Sequence, residues 1–253
     1  TRRGRRAPLP DAGRTYVAGG KRILEDLEEI ERAAAGEYAA PRGDLVITAP
    51  IVFGRLHVLP VVAEFLKVYP DIDIRIVLAD RVMNLHEDAV DIAVRIGELP
   101  DSSLIATRIG TIRQIDCGSP NYFAARGTPK SPDELRHHDC VTFEGLMSPT
   151  GWKFVIDGSP VTVTVHSRLV VNTAEAAIDA ATASIGMTRV LAYQAADAMR
   201  AGRLALALEE FEPAPWPVNL VYTGQGLLPL KLRAFLDFAA PRLKAHLLGG
   251  LHR

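Results

Sequence analysis

Between Asp44 and Gly97 the chain alternates apolar runs with turns, and this stretch restricts the fold more than any other. Leu45-Val46-Ile47-Thr48 is a short apolar run ended by Ala49-Pro50, which predicts a buried strand. Leu56, Leu59, Val62, Ala63, Leu66 and Tyr69 then recur at three- and four-residue spacings and are closed by Pro70, so they predict a helix with that stripe as its apolar face. Ile72, Ile74, Ile76 and Leu78 alternate with Asp73, Arg75 and Val77 as a second strand would. A short helical segment around Met83 to Asp88 is expected to lead into a third strand, Asp91 to Ile96. Strand, helix, strand, helix, strand implies a parallel sheet with right-handed crossovers, which collects ligands beyond the carboxyl ends of its strands. Candidate pocket residues are therefore Thr48, Ala49, Pro50 and Phe53 after the first strand and Arg95, Ile96 and Gly97 at the end of the third, with Ser102 in the loop beyond. Arg95 has two readings, a partner for a carboxylate such as Glu98 or a cation for a ligand anion.

A second α/β unit can be traced downstream. Ile109 to Gly118 is a candidate strand leaving the first sheet, and Ser119-Pro120-Asn121 opens a short helix. Ser131-Pro132-Asp133-Glu134 is another helix start, and Val141-Thr142-Phe143 a strand. Trp152 to Ile156 and Val161 to Val165 flank Asp157-Gly158 as a hairpin. Leu169 to Val171 is a further strand, and an alanine-rich helix runs from Ala174 to Ala183. Asn172 or Thr173 is placed to cap that helix, leaving its amide dipoles aimed at any cleft beside it. Ile185 to Val190, a helix around Tyr193 to Met199, a return near Val218 to Tyr222 and a closing helix from Leu230 complete the trace. Two crossings, near Arg113 and near Tyr222, would hinge two lobes around a cleft. The expected fold is α/β, two Rossmann-like lobes preceded by a long helix.

That preceding helix is read from Tyr16, Gly20, Ile23, Leu27, Ile30 and Ala34, whose spacings alternate between four and three as in a coiled-coil seam. A lone amphipathic helix of this length is marginal in water, so the stripe needs a partner, either a second copy or its own globular body. Pro41 and Gly43 end it. Upstream, Arg2, Arg3, Arg5 and Arg6 form a basic arm with no acid among them, although the formal charge of the whole chain is only -1. No global field therefore favours nucleic acid or membrane. Two cysteines do not make a disulfide framework, no run is long and apolar enough for a membrane span, and no hydrophobic signal segment opens the chain. A cytoplasmic protein is expected, and Thr1 in a basic turn suggests the later part of a longer chain.

The blocks RRAPLPDAGRTYVAGGKRILEDLEEIE, PRGDLVITAPIVFGRLHVLPVVAEFLKVYPDIDIRIVLADR, DIAVRIGELPDSSLIATRIG and SPNYFAARGTPKSPDELRHHDCVTF, in this order, resemble a LysR-type transcriptional regulator over nearly the whole chain. The resemblance implies a winged helix-turn-helix DNA-binding domain, a dimerising linker helix and a two-lobed effector-binding domain similar to type 2 periplasmic binding proteins. Residues 1–10 would then be the remnant of the wing, 11–43 the linker and hinge, 44–114 with 224–253 the first lobe, and 115–223 the second. It also adds Glu144 and Thr188 to the effector site by analogy, and gives the four arginines a place on phosphates or in the minor groove. Implied partners are DNA, a small-molecule effector, and further copies of the chain as a homodimer or homotetramer whose geometry the effector changes; no cofactor is implied. Two positions depart from the family's pattern: Pro10 stands where a small hydroxyl residue is usual, and Ser184 replaces a common glycine.

Other chemistry finds little support. His137, His138, Asp139 and Cys140 invite a metal reading, but adjacent histidines share no helical face and no matching ligand pair follows, so a surface turn is expected. Nucleophile elbow, phosphate loop and zinc-protease patterns are absent, and Gly224-Gln225-Gly226 reads as a turn. An enzyme is therefore not expected. The competing class is a two-lobed solute-binding protein without DNA function, against which the basic arm and coiled-coil helix argue.

Overall fold

The computed structural model describes residues 40–81, 83–144, 151–224 and 228–250, together with Gly13 and Gly20, both helical. The basic arm (Arg2, Arg3, Arg5, Arg6) and the seam residues Tyr16, Ile23, Leu27, Ile30 and Ala34 lie outside the described residues.

Strand β1 (Gly43–Ala49) turns at Pro50 into a helical run made of Ile51–Phe53, a π turn at Gly54–Val58 and helix α1 (Leu59–Val68). Then come β2 (Ile72–Leu78), β3 (Ile92–Ile96), β4 (Leu104–Ile112) and β5 (Gln114–Gly118). Helix α2 (Pro120–Arg126), a 3-10 turn (Pro132–His137), β6 (Cys140–Phe143) and the hairpin β7 (Gly151–Ile156) and β8 (Ser159–Thr164) follow. β9 (Ser167–Val171), α3 (Ala174–Thr182), β10 (Met187–Leu191), α4 (Ala192–Arg200) and β11 (Ala205–Ala207) lead to β12 (Trp216–Thr223) and α5 (Leu230–Gly250).

Two five-stranded sheets result, ordered β2-β1-β3-β12-β4 and β11-β5-β10-β6-β9, with β7 and β8 as a separate ribbon. β1 pairs in parallel with β2 and β3, while β12 runs antiparallel to β3 and β4. The second sheet repeats this plan: β6 is parallel to β9 and β10, and β5 is antiparallel to β10 and β11. Each sheet has its own apolar core, one closed by Phe65, Phe235 and Leu243, the other by Ala177, Ile178 and Ala195.

Several expectations are corrected. Helix α1 buries Val61, Val62 and Phe65, whereas Leu56, Leu59 and Leu66 are 39, 48 and 36% exposed, so of the stripe read as its core face only Val62 is buried, with Tyr69 packed half-buried against the core. Two apolar stripes run along this helix, and spacing alone does not say which one meets the sheet. Met83 to Asp88 is not helical, because the Asn84 and Asp88 side chains take the amides of His86, Glu87 and Asn84 in a local turn. Ile109 to Gly118 is two strands broken at Arg113, and β12 belongs to the first sheet. The second crossing therefore falls between Glu212 and Pro215 rather than near Tyr222.

The two crossings are clamped to each other. Arg113 donates to both carboxylate oxygens of Glu212, at 2.8 and 2.9 Å, and reaches Glu209 at 3.4 Å. Ser184 adopts the left-handed conformation, φ +65°, that glycine takes without strain, and its hydroxyl lies 2.8 Å from that of Ser119. Gly186 passes so close to the Asp139 carbonyl that no Cβ fits there.

Candidate functional site

A cavity of ≈ 170 Å³ opens at the carboxyl ends of β1, β2 and β3, where the doubly wound plan places ligands. Thr48, Ala49, Pro50, Arg95 and Ile96 line it, as the sequence leads one to expect. Thr48 is buried, donating its hydroxyl to the Val77 carbonyl at 2.9 Å, with Met83 Sδ at 3.2 Å. Arg95 donates to the Met83 carbonyl at 2.9 Å and has no ion pair among the described residues. Burial holds the Arg95 pKa below its ordinary value. Of its two readings, the pairing with Glu98 is not made, although Glu98 also lines the cavity.

Asp80, one residue beyond the loop entrance at Ala79, accepts the Ile51 amide at 3.0 Å and so caps the helical run after Pro50. Burial raises its pKa, the Ile51 hydrogen bond opposes this, and the negative charge of Glu175 on the second lobe raises it further. Glu175 lies in the first turn of α3, beside Thr173, whose hydroxyl accepts the Ala176 amide at 3.2 Å as the capping residue. The charge of Glu175 thus acts on Asp80 from the second lobe, and one Glu175 oxygen, Oε2, is buried without a hydrogen-bond partner among the described residues. Below them, Tyr193 from α4 packs edge-on against Phe53 and His57 of the first lobe, at centroid distances of 5.6 and 5.5 Å. Burial lowers the His57 pKa, with His246 adding to it, and raises that of Tyr193.

The remaining candidates do not line this cavity. Phe53 is fully buried in the lobe junction, and Gly97 (φ +108°) is tucked against the Trp216 ring. Ser102 and Glu144 are exposed, the first receiving the Leu104 amide at 3.4 Å, the second donating its own amide to Val171. Asn172 is exposed before α3. Thr188 is fully buried within the second sheet, its hydroxyl without a partner among the described residues. The turn at His137 to Cys140 is not a surface feature throughout: Cys140 is buried, and the buried His138 places Nδ1 3.2 Å from the Tyr122 hydroxyl. Sequence reasoning missed Asp80 and Glu175. Asp80 was within reach, since it follows β2 as Pro50 follows β1; Glu175 reads locally as a helix-dipole residue, and only tertiary packing lets its charge act on Asp80.

Two α/β lobes, a clamped double crossing and a cavity at the strand ends define a bilobed small-molecule-binding body. The family model described as the LysR substrate binding domain matches residues 39–244, and the chain belongs to the LysR family of transcriptional regulators. It is 32% identical over 251 residues to the HTH-type transcriptional regulator CrgA of Neisseria meningitidis serogroup B, covering 97% of this chain and 82% of that one. With the probable HTH-type transcriptional regulator LtrA of Klebsiella pneumoniae it shares 27% identity over 244 residues, covering 95% and 79%. The solved structure of CrgA from Neisseria meningitidis superposes with a TM-score of 0.71 at 28% identity, covering 96% of this chain and 83% of that one. Regulators of this family bind DNA and small-molecule effectors and form oligomers. No helix among the described residues is long and apolar enough to cross a membrane.

Proposed function

We propose that the effector of this regulator enters the cavity at the ends of β1, β2 and β3, and that its presence sets the angle between the lobes. The observation that carries this reading is the cavity itself, which places the Thr48 backbone turn, the Asp80 carboxylate and Arg95, without an ion pair among the described residues, around one opening. Arg95 supplies a cation for an anionic group, Thr48 to Pro50 and Ile96 supply walls, and Asn172 with Thr173, outside the cavity lining, would bring the start of α3 to the ligand as the lobes close. Ligand contacts made at only one closure angle favour that angle; contacts equal at both angles regulate nothing. The preference would pass through the Arg113–Glu212 clamp and the first lobe to the linker helices, altering how the DNA-binding domains are spaced. Arg2, Arg3, Arg5 and Arg6 would contribute salt-dependent phosphate contacts. The protein acts in the cytoplasm and catalyses no reaction; it works by binding.

A thermal-shift screen of organic acids, aromatics and amino acids against the purified chain tests the cavity. At least one compound should raise Tm, and T48A and R95Q should each weaken it about tenfold, the worth of one charge-assisted contact. Unchanged affinity in both variants would remove the cavity assignment. Anisotropy of labelled promoter DNA with the intact gene's product should then change when the hit is added.

A further inference from the structure

The cavity holds its charges in an unusual state. Arg95 is half-buried and makes one hydrogen bond, to a carbonyl, with no carboxylate in ion-pair range among the described residues. Asp80 is also half-buried, and the Ile51 amide satisfies one of its oxygens. Both groups line the same opening, yet no ion pair joins them. The second lobe adds a further carboxylate whose charge acts on Asp80, Glu175, with one oxygen buried and unpartnered among the described residues. A buried acceptor without a donor costs stability, and so does an uncompensated half-buried cation. Between the two ends the wall is apolar, formed by Pro50, Met83, Ile96 and Leu99.

We propose that the effector is a small zwitterion, whose carboxylate meets Arg95 and whose protonated amine meets Asp80 and Glu175 across the cleft. The inference rests on the cavity being the effector site. A plain carboxylic acid would satisfy Arg95 and leave Asp80 without a counter-charge; a plain amine would do the reverse. Only a molecule carrying both charges completes both ends, and in doing so it bonds to both lobes at once, which is what a ligand must do to favour one closure angle. Burial of Arg95 and Asp80 penalises the charged form of each, and a partner of opposite charge relieves both penalties. A cavity of ≈ 170 Å³ compares with the engineered void of about 150 Å³ that admits benzene, so the body between the charges is limited to one ring or a short branched chain.

A matched panel tests this with the purified chain: leucine, valine, methionine and phenylalanine, the four amines left by removing their carboxylate, and the four acids left by removing their amine. Thermal shift and calorimetric titration should find an amino acid that binds, with its amine and its acid at least about tenfold weaker. D80N keeps an oxygen for the Ile51 amide, and R95K keeps the charge while losing the planar fork. D80N and R95Q should each weaken binding by at least about tenfold, and R95K should restore part of it. An acid that binds as tightly as its amino acid, or an amino acid whose binding survives both D80N and R95Q, overturns the zwitterion and leaves the cavity assignment standing. Silence across all three sets also overturns it, and the wider screen of acids and aromatics then decides the cavity by itself.

Discussion

Each lobe carries an aspartate and an arginine near its sheet, and the two pairs are held in opposite ways. In the second lobe Asp116 on β5 sits directly across from Arg189 on β10, and the guanidinium donates to both carboxylate oxygens at 2.8 and 2.7 Å. Its third arm reaches the Lys153 carbonyl at 2.6 Å, and its plane lies over the Phe154 and Trp152 rings. Burial pushes the Asp116 carboxyl up and the bound guanidinium opposes it. In the first lobe Asp80 and Arg95 have no such contact and stand around a cavity instead. The same two side chains thus serve two ends. Joined and sealed by aromatic rings they build the lobe; held apart beside a void they leave each other's charge uncompensated.

The sharpest break of this contrast is R189M. It leaves Asp116 buried without its counter-charge and should cost about 3–5 kcal/mol in urea unfolding, while the double change D116L with R189M should recover most of that loss. R95Q, by contrast, should change stability by less than about 1 kcal/mol, because no ion pair is broken. A loss at R95Q as large as at R189M would mean that the cavity arginine is structural too. Next to Arg189, Thr188 offers a smaller effect of opposite sign. Its hydroxyl is buried in the sheet with no partner among the described residues, so T188V, which keeps the shape and removes the orphan, should stabilise the chain by about 1 kcal/mol. T188V should leave the ligand response unaltered, and a lost response would return Thr188 to the site.

How much of this could be read beforehand follows from the range of the forces involved. Alternating and continuous apolar runs announced β1, β2 and β3, and Asp157-Gly158 announced its hairpin, where both residues take positive φ of +50 and +76°. These are local signals. β4 was half missed because Thr107, Arg108 and Gly110 interrupt its apolar pattern, and it survives as a strand only because β12 pairs along its whole length. The buried face of α1 failed for a related reason: Leu59 and Leu66 are as apolar as Val61 and Phe65, and the choice between them is made by Phe235 and Phe238 of α5, about 170 residues away in sequence. Strand ends on one sheet gave five cavity residues. Glu175 depends on how the lobes face each other, which no local pattern encodes.

Asp80 sharpens the comparison through pH. Burial and Glu175 lift its native pKa above the ordinary 3.8, so its protonated form is favoured in the folded state. The resulting stabilisation is complete below about pH 3.8, declines as pH rises through the native pKa, and is absent above it. D80N does not ionise, and its oxygen still accepts the Ile51 amide. The Tm difference between D80N and the parent should therefore be small near pH 3.5, grow with pH in favour of D80N, and level off once Asp80 is charged. E175Q should reduce that growth, because Glu175 raises the Asp80 pKa. A difference that stays flat across pH would mean that Asp80 carries no penalty and has nothing for a ligand to relieve.

The smallest expected effect is an absence of reaction. Cys117 neighbours Asp116 on β5, and Cys140 lies on β6 beyond β10, so both thiols report on the interior that the Asp116–Arg189 pair closes. Burial, reinforced by the Asp116 charge, pushes each thiol up to about 12, which leaves almost no thiolate at neutral pH. Neither side chain is exposed to solvent. Native protein at pH 8 should resist a thiol reagent for as long as it stays folded, with both cysteines labelling together as urea unfolds the second lobe. Labelling of R189M under native conditions would show the ion pair itself to be the seal. Prompt labelling of the parent chain would instead show a second lobe that opens on its own, and the division between a closed lobe and a receptive one would fall.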